Sequence, residues 1–326
     1  MISNAEIFNI KTSAQFEDLA LKVFKFQFEN NIIYRSFCDL LYKHPVDVKS
    51  ISDIPFLPIQ FFKSHEVLST NNTAEKTFTS SGTTGSITSK HLVTDIKLYE
   101  ESYLKGFKHF YGNLEDYVVL ALLPSYLERD GSSLIYMAND LIAKSKQLES
   151  GFYLNNLEEL AKTLNQLETR GQKTLLIGVS FALLDLVEQF QFDLKHTLVM
   201  ETGGMKGRRK EIVRQELHNK LQSGFGVSQI HSEYGMTELL SQAYSKGNGI
   251  FECPPWMKIL TRDTEDALTL QQSQKTGGIN VIDLANINSC SFIATQDLGK
   301  VNTSGQFEII GRFDNSDIRG CNLMAL

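Results

Sequence analysis

The sequence predicts an α/β fold, with mostly parallel sheets flanked by helices and a β-rich C-terminal part. Three observations carry that prediction. From about residue 117, apolar runs of strand length alternate with longer runs of helical periodicity. The first of them, 117–123, reads as a buried strand. Past about Gly249 the runs become short and β-rich, separated by glycines and turn residues.

The elements follow in order. Thr12 and Gln15 form a capping box ahead of a helical pattern through Phe16, Leu19, Ala20 and Val23. A second helix is expected through Tyr34, Phe37, Cys38, Leu41 and Tyr42, which share one face and make Cys38 a core residue. Pro55 and Pro58 break the 54–62 run into extended, irregular chain. After the 117–123 strand, Ser132 or Ser133 caps a helix with Leu134, Met137, Ala138, Leu141 and Ile142 on one face. Leu157, Leu160, Ala161, Leu164 and Leu167 mark another helix, which Gly171 closes. Next come a strand at 174–179, a helix at 181–190, a strand at 197–201, a helix at 210–221 and a short strand at 227–230. The β-rich runs are 279–284, 291–295 and 307–310. With no internal repeat and no low-complexity linker, a single large domain over 1–326 is expected, its subregions roughly 1–115, 116–248 and 249–326.

Composition narrows the function classes. The chain has 326 residues, 42% hydrophobic and 21% charged, which is ample core material for a soluble globular protein. A net charge of −6 with no long basic run argues against a nucleic-acid polymer as partner. The start of the chain lacks the basic-then-apolar pattern of a secretory signal, and no apolar run is long enough to span a bilayer. Four cysteines (Cys38, Cys253, Cys290 and Cys321) lie far apart, with no metal-ligand spacing. Reduced thiols and a cytoplasmic location are expected.

Three segments carry chemistry. Thr79, Ser80, Ser81, Gly82, Thr83, Thr84 and Gly85 pack five hydroxyls and two glycines into seven residues. Such a loop can surround an anion with O–H and backbone N–H donors, although surface connections share this composition. No Gly-Lys-Ser/Thr ends it, so it is not a Walker loop. The second segment is Ser232-Glu233-Tyr234-Gly235-Met236-Thr237-Glu238, after the short apolar run. Tyr234 offers a ring to a nucleobase, Thr237 a hydroxyl to a phosphate and Glu238 a hard oxygen to Mg²⁺. The competing view is a turn opening a helix, with Glu238 beside its dipole. The third is Gly311-Arg312-Phe313-Asp314, then Ile318-Arg319-Gly320-Cys321. Arg312 can fork onto phosphate or ribose oxygens, or be a plain surface arginine. His65, His91 and His231 sit in no Ser-His-Asp grouping, and Gly178-Val179-Ser180 lacks the second glycine of a hydrolase elbow, so the histidines are expected to be structural.

Together and in this order, from about residue 54 to the end, the segments resemble the adenylate-forming superfamily, with its acyl-CoA synthetase-like large domain. Thr295-Gln296-Asp297 looks like the superfamily's Thr-Gly-Asp step, which implies that Asp297 holds the ribose. Gly203 and Gly204 stand where the resemblance implies a glycine-rich strand end against adenine. Within the superfamily, Pro124-Ser125-Tyr126-Leu127-Glu128-Arg129, Ser132-Ser133-Leu134, the run from Tyr234 through Thr237-Glu238 to Gln242, and Arg319-Gly320-Cys321 are similar to the LuxE-type long-chain acyl-protein synthetases. Two departures stand out. Gly85 is followed by Ser86-Ile87-Thr88-Ser89-Lys90 in place of Gly-x-Pro-Lys, and the chain stops about a dozen residues after Asp314, so the mobile lid domain and its lysine are expected to be absent, as in the LuxE type.

The resemblance implies ATP and Mg²⁺ as cofactors, a fatty or other carboxylic acid as substrate and a fatty-acyl reductase (LuxC type) as partner. Ser80, Ser81, Gly82, Thr83, Thr84 and Gly85 would hold the β- and γ-phosphates, with Gly203, Gly204, Tyr234 and Gly235 against the nucleotide. Thr237, Glu238 and Arg312 would serve the adenylation step. Cys321 would take the acyl group as a thioester, with Arg319 favouring the thiolate. Ten residues on from Gly311, an extended chain reaches roughly 33–36 Å, which permits delivery to a partner. Two other readings stay open: an acyl- or aryl-CoA ligase similar to phenylacetate-CoA ligases, and a non-catalytic nucleotide- or acyl-binding subunit.

Overall fold

The computed structural model describes residues 2–80, 87–124, 131–203 and 212–313. In chain order the elements are α1 (Asn4–Phe8), α2 (Ser13–Asn30), α3 (Ile32–Leu40), β1 (Leu57–Pro58), α4 (Phe61–Ser64), β2 (Lys76–Thr79), β3 (Lys90–Val93) and α5 (Ile96–Tyr111). Next come β4 (Val118–Leu122), α6 (Ser133–Ser145), β5 (Gly151–Phe152), α7 (Leu157–Thr169), β6 (Thr174–Gly178), α8 (Ser180–Gln189), β7 (Thr197–Glu201) and α9 (Arg214–Phe225). The last are β8 (His231–Tyr234), β9 (Ala243–Ser245), β10 (Ile250–Glu252), β11 (Met257–Arg262), β12 (Thr276–Asp283), β13 (Phe292–Val301) and β14 (Phe307–Arg312). The chain divides into two compact units, Met1–Asn72 with Pro255–Leu326, and Thr73–Pro254.

In the first unit β11, β12, β13 and β14 form an antiparallel run, and β1 pairs parallel with β13. The expected capping box opens α2: Thr12 accepts from the Gln15 amide, and Gln15 accepts from that of Thr12. The inward stripe of α2 includes one polar residue, Gln27. Its Nε2 donates to the carbonyls of Asn286 and Ile287, and its Oε1 accepts from the Ser291 amide, so the buried side chain is satisfied. Tyr34 and Cys38 are fully buried on α3, with the Tyr34 ring stacked 6.0 Å from Phe292. Tyr42 corrects the expected face. It lies past the helix end at φ 55 and is 85% exposed, because a left-handed residue turns the chain and ends the helical periodicity.

The second unit has the strand order β10-β9-β8-β7-β6-β4-β5, with a separate β2–β3 hairpin. Pairing is parallel from β5 to β8 and antiparallel from β8 to β10. Every position of β4 and β6 is buried, which is why these strands read as unbroken apolar runs. Leu160, Leu164 and Leu167 of α7, Leu183 and Leu186 of α8, and Leu217, Leu221 and Phe225 of α9 pack on Val118, Leu120, Leu122, Leu176 and Val199 of the sheet. Ser132 caps α6 and Gly171, at φ 65, closes the turn after α7, as the sequence predicts.

Two elements move. The helix expected at 210–221 runs from Arg214 to Phe225, and Gly226 caps it in the left-handed region. The strand expected at 227–230 is instead His231–Tyr234; Ile230 is buried but outside the ladder. Gly226 has φ 68, and a Cβ there would lie 2.6 Å from the Phe192 carbonyl oxygen. Gly226→Ala is therefore expected to destabilise the fold by about 2 kcal/mol. Urea denaturation checks this, and an unchanged midpoint would contradict it.

Candidate active site

The site in the second unit is built around the turn after β8. β7 and β8 run parallel, with Glu201 opposite Ser232. The chain then reverses through 235–242 into β9, so Met236, Thr237 and Glu238 stand at the carboxyl edge of the parallel strands, where α/β sheets bind ligands. No helix opens there. A Cβ added to Gly235 would meet the Glu233 carboxyl, so a side chain there would have to push that carboxyl aside.

The neck of the hydroxyl-rich loop is brought to the same turn. Residues 81–86 lie outside the described structure, but the loop's neck does not. Ser80 N donates to the Ser89 carbonyl at 3.1 Å, and Ser89 N donates to Ser80 Oγ at 2.9 Å. On β3, His91 is buried and its Nδ1 lies 2.8 Å from the Thr237 carbonyl oxygen. Only a protonated Nδ1 can donate to a carbonyl, so this bond fixes the tautomer. His91 thus ties the hairpin that carries the loop to the Tyr-Gly-Met-Thr-Glu turn. On the other side of the neck, Thr79 N donates to the Gly131 carbonyl at 2.7 Å, at the end of the Pro124–Gly131 stretch whose residues 125–130 are not described.

A third part of the edge is the end of β7. Gly203 has φ 72, and among the described residues no atom would lie within 4 Å of a Cβ placed on it. Its amide donates to Glu201 Oε2 at 2.7 Å, and Ser180 Oγ donates to the same oxygen at 3.2 Å. His218 Nε2 stands 3.6 Å from Glu201 Oε1, too long for a hydrogen bond but close enough to act on the charge. Burial alone would push the Glu201 carboxyl up. His218, Ser232, the Gly203 amide and the charge of Arg214 outweigh it and hold the carboxyl below its usual range. Glu201 therefore stays ionised and fixes the strand end that presents Gly203. Gly204 lies outside the described residues.

Tyr234 and Glu238 are both buried, at 8% and 5% exposure. The Tyr234 ring packs at 63° to Phe251, centroids 6.0 Å apart. Among the described residues no three His, Cys, Asp or Glu side chains group as a metal site. One carboxylate at the carboxyl edge of a parallel sheet has the chemistry that suits Mg²⁺, which commonly takes one or two carboxylates and completes its shell with ligand oxygens and water.

In the first unit Asp297 and Arg312 are register partners on β13 and β14. Arg312 Nε donates to Asp297 Oδ1 at 2.8 Å; the Asp297 side chain is 9% exposed and that of Arg312 55%. Beneath them Arg262 is buried and donates to the carbonyls of Ile279 and Thr295 and to Asn280 Oδ1. Its guanidinium also lies 5.6 Å from the Phe313 ring centroid. The Thr-Gln-Asp and Gly-Arg-Phe segments are therefore one constellation. Asp314, Arg319 and Cys321 lie outside the described residues.

His91, Glu201 and Arg262 were not legible as site residues. Each has partners on other elements of the chain, and no local pattern marks them.

Comparisons with known proteins agree with this architecture. A family model described as acyl-protein synthetase, LuxE, matches residues 6–109. The long-chain-fatty-acid–luciferin-component ligase of Vibrio harveyi is 24% identical over 324 residues, covering 92% of this chain and 84% of that protein. A 2-hydroxyisobutyryl-CoA ligase in its postadenylation state superposes with a TM-score of 0.65 at 11% identity, over 92% of this chain and 68% of that one. ATP-bound MatB from Rhodopseudomonas palustris gives 0.53 at 17% identity, over 72% of this chain. The chain spans about half of MatB, 47% of its length. These solved structures show a shared fold.

Proposed function

We propose that this chain, a relative of the LuxE acyl-protein synthetases with the fold of adenylate-forming ligases, activates a carboxylic acid with ATP and passes the acyl group to a thiol. In the first half-reaction an oxygen of the acid attacks the α-phosphorus. The bond from that phosphorus to the bridging oxygen breaks, and pyrophosphate leaves. In the second, a thiolate attacks the acyl carbon, AMP leaves and a thioester forms.

The single observation that carries this reading is the His91–Thr237 bond, which holds the neck of the hydroxyl-rich loop against the Thr237-Glu238 turn. Ser80, Ser81, Gly82, Thr83, Thr84 and Gly85 would hold the β- and γ-phosphates by backbone and hydroxyl donors. Thr237 would donate to the α-phosphate, and Glu238 would hold Mg²⁺, whose charge offsets that developing on the phosphate oxygens. Gly203, Gly204 and Gly235 would line the adenine, and Tyr234 would stack on it. Asp297 would accept from the ribose hydroxyls while Arg312 orients it. Catalysis here is positioning and electrostatics. A fatty acid as substrate, Cys321 as acceptor and a LuxC-type acyl reductase as recipient complete the reading, which a cytoplasmic location would suit.

Acid-dependent ATP–pyrophosphate exchange, run over acids of graded chain length from acetate to tetradecanoate, tests the first half-reaction. Exchange that peaks with long acids supports it. No exchange with any acid, from folded protein with Mg²⁺, would leave a binding subunit. Exchange followed by turnover of free CoA would point to a CoA ligase. The ribose assignment has its own test: Asp297→Asn is expected to raise the KM for ATP about 10- to 100-fold, the worth of one hydrogen bond to a charged group, and to leave the KM for the acid nearly unchanged. Equal rises in both would remove Asp297 from the nucleotide.

A further inference from the structure

One carboxyl in the second unit has no evident structural employment. Glu233 precedes Tyr234 on β8 and is only partly buried. Among the described residues it has neither a hydrogen bond nor an ion pair. Its carboxyl lies over the Gly235 backbone, at the root of the turn that carries Thr237 and Glu238. Its cross-strand partner is Tyr244 on β9. Tyr99 and Tyr111 of α5 also lie within electrostatic reach of it.

None of these neighbours is committed to it. The Tyr99 hydroxyl donates to the Ser133 carbonyl at 3.0 Å, and the Tyr111 hydroxyl is paired at 3.4 Å with His231 Nδ1. The Tyr111 and Tyr244 rings meet edge to face at 5.5 Å. Aromatic rings around one polar group that has no partner among the described residues are the chemistry that suits an amphipathic ligand.

The electrostatics say in which form that group is present. Burial, and then the negative charge of Glu201 on β7, push Glu233 up to about 8. Burial and the charge of Lys246 lower His231, on the same strand, to about 4, so it is neutral and offers no compensating charge. Lys246 itself lies 5.9 Å from the ring centroids of Phe110 and Tyr111. Glu233 is thus a carboxylic acid at neutral pH, with one O–H to donate. Two carboxylates cannot both be ionised in such surroundings, but an acid and a carboxylate share a proton in a short, strong hydrogen bond.

We infer that Glu233 receives the carboxylate of the acid substrate, donating its O–H to one carboxylate oxygen and leaving the other to attack the α-phosphorus. The assignment rests on the adenylation reading above. It gives the site a reason to keep an unpaired acid beside the turn that would hold the phosphate and Mg²⁺. It also makes the alkaline side of the acid-binding profile a property of one residue.

The test is calorimetric binding of tetradecanoate without ATP, across pH, alongside the KM values for tetradecanoate and ATP in the exchange assay. In the wild type, affinity for tetradecanoate should fall about tenfold for each pH unit above about 8. Glu233→Gln keeps a donor without a titrating group, so it should bind at neutral pH about as the wild type does and lose the alkaline fall. Glu233→Ala should weaken tetradecanoate binding about 10- to 100-fold while the KM for ATP holds. An alkaline fall that persists in Glu233→Gln, unaltered binding in Glu233→Ala, or no tetradecanoate binding by the wild type would each overturn the inference. So would an affinity that rises with pH for dodecylamine, because that marks Glu233 as a site for a cation. If tetradecanoate binding depends on Glu233 but no acid supports exchange, the contact of Glu233 with the carboxylate stands, and the adenylation reading falls together with the attack on the α-phosphorus.

Discussion

Glu238→Ala should abolish acid-dependent ATP–pyrophosphate exchange, by on the order of 10³-fold or more, in a protein that still folds. The expected size follows from the donor set. Among the described residues no three His, Cys, Asp or Glu side chains group as a metal site, so the proposed metal rests on this one carboxylate. Losing one preorganised group that stabilises transition-state charge already costs about 10²- to 10³-fold, and here the bound metal is lost with it. Glu238 is 5% exposed, so the Ala variant must be checked for folding by thermal denaturation. Glu238→Gln keeps the shape and removes the charge. It should lose exchange almost as fully, and raising Mg²⁺ should recover part of it. Exchange within tenfold of the wild type in both variants would show that the metal is held elsewhere.

The fold was readable where local chemistry decides it. The Thr12–Gln15 box, the Ser132 cap and the strand at Thr197–Glu201 lie where the pattern puts them. A capping hydroxyl or a short run with an apolar centre, such as the Leu-Val-Met of this strand, advertises itself within a few residues. β8 does not. Its four residues are His, Ser, Glu and Tyr, and the apolar run before it was the stronger signal. Apolarity reports burial, whereas β8 is a strand because β7 and β9 pair with it on either side. The motif segments were legible as types of donor, but what holds them was not. His91 reaches 146 positions along the chain to Thr237, and Gln27 reaches 264 to Ser291. Such ties depend on which strands become neighbours, and a linear pattern does not encode that.

Cys321→Ser is expected to leave exchange intact and to remove the hydroxylamine-labile acyl label, which separates the two half-reactions. The argument starts from the other cysteines. Cys38 is fully buried, and burial pushes its thiol up to about 12. Cys290 is fully buried and is pushed higher still, by burial first. Neither forms a useful fraction of thiolate near neutrality, and thiolate is the nucleophile. Cys253 is partly buried, which leaves it and Cys321 as acceptors within the chain. A serine at 321 has no thiolate to offer, and any ester it formed would resist neutral hydroxylamine where a thioester does not. The experiment loads the protein with radiolabelled tetradecanoate and ATP, then compares label with and without neutral hydroxylamine. Loss of the label in Cys321→Ser but not in Cys253→Ser would place the acceptor in the Arg-Gly-Cys segment, ten residues beyond Gly311. The opposite pattern would move it to Cys253. If the label survives in both single variants, either each of the two cysteines can replace the other or the acyl group sits elsewhere on this chain, which the double variant decides. If even the wild type carries no hydroxylamine-labile label, the thioester forms on a separate thiol, and CoA is the first to test.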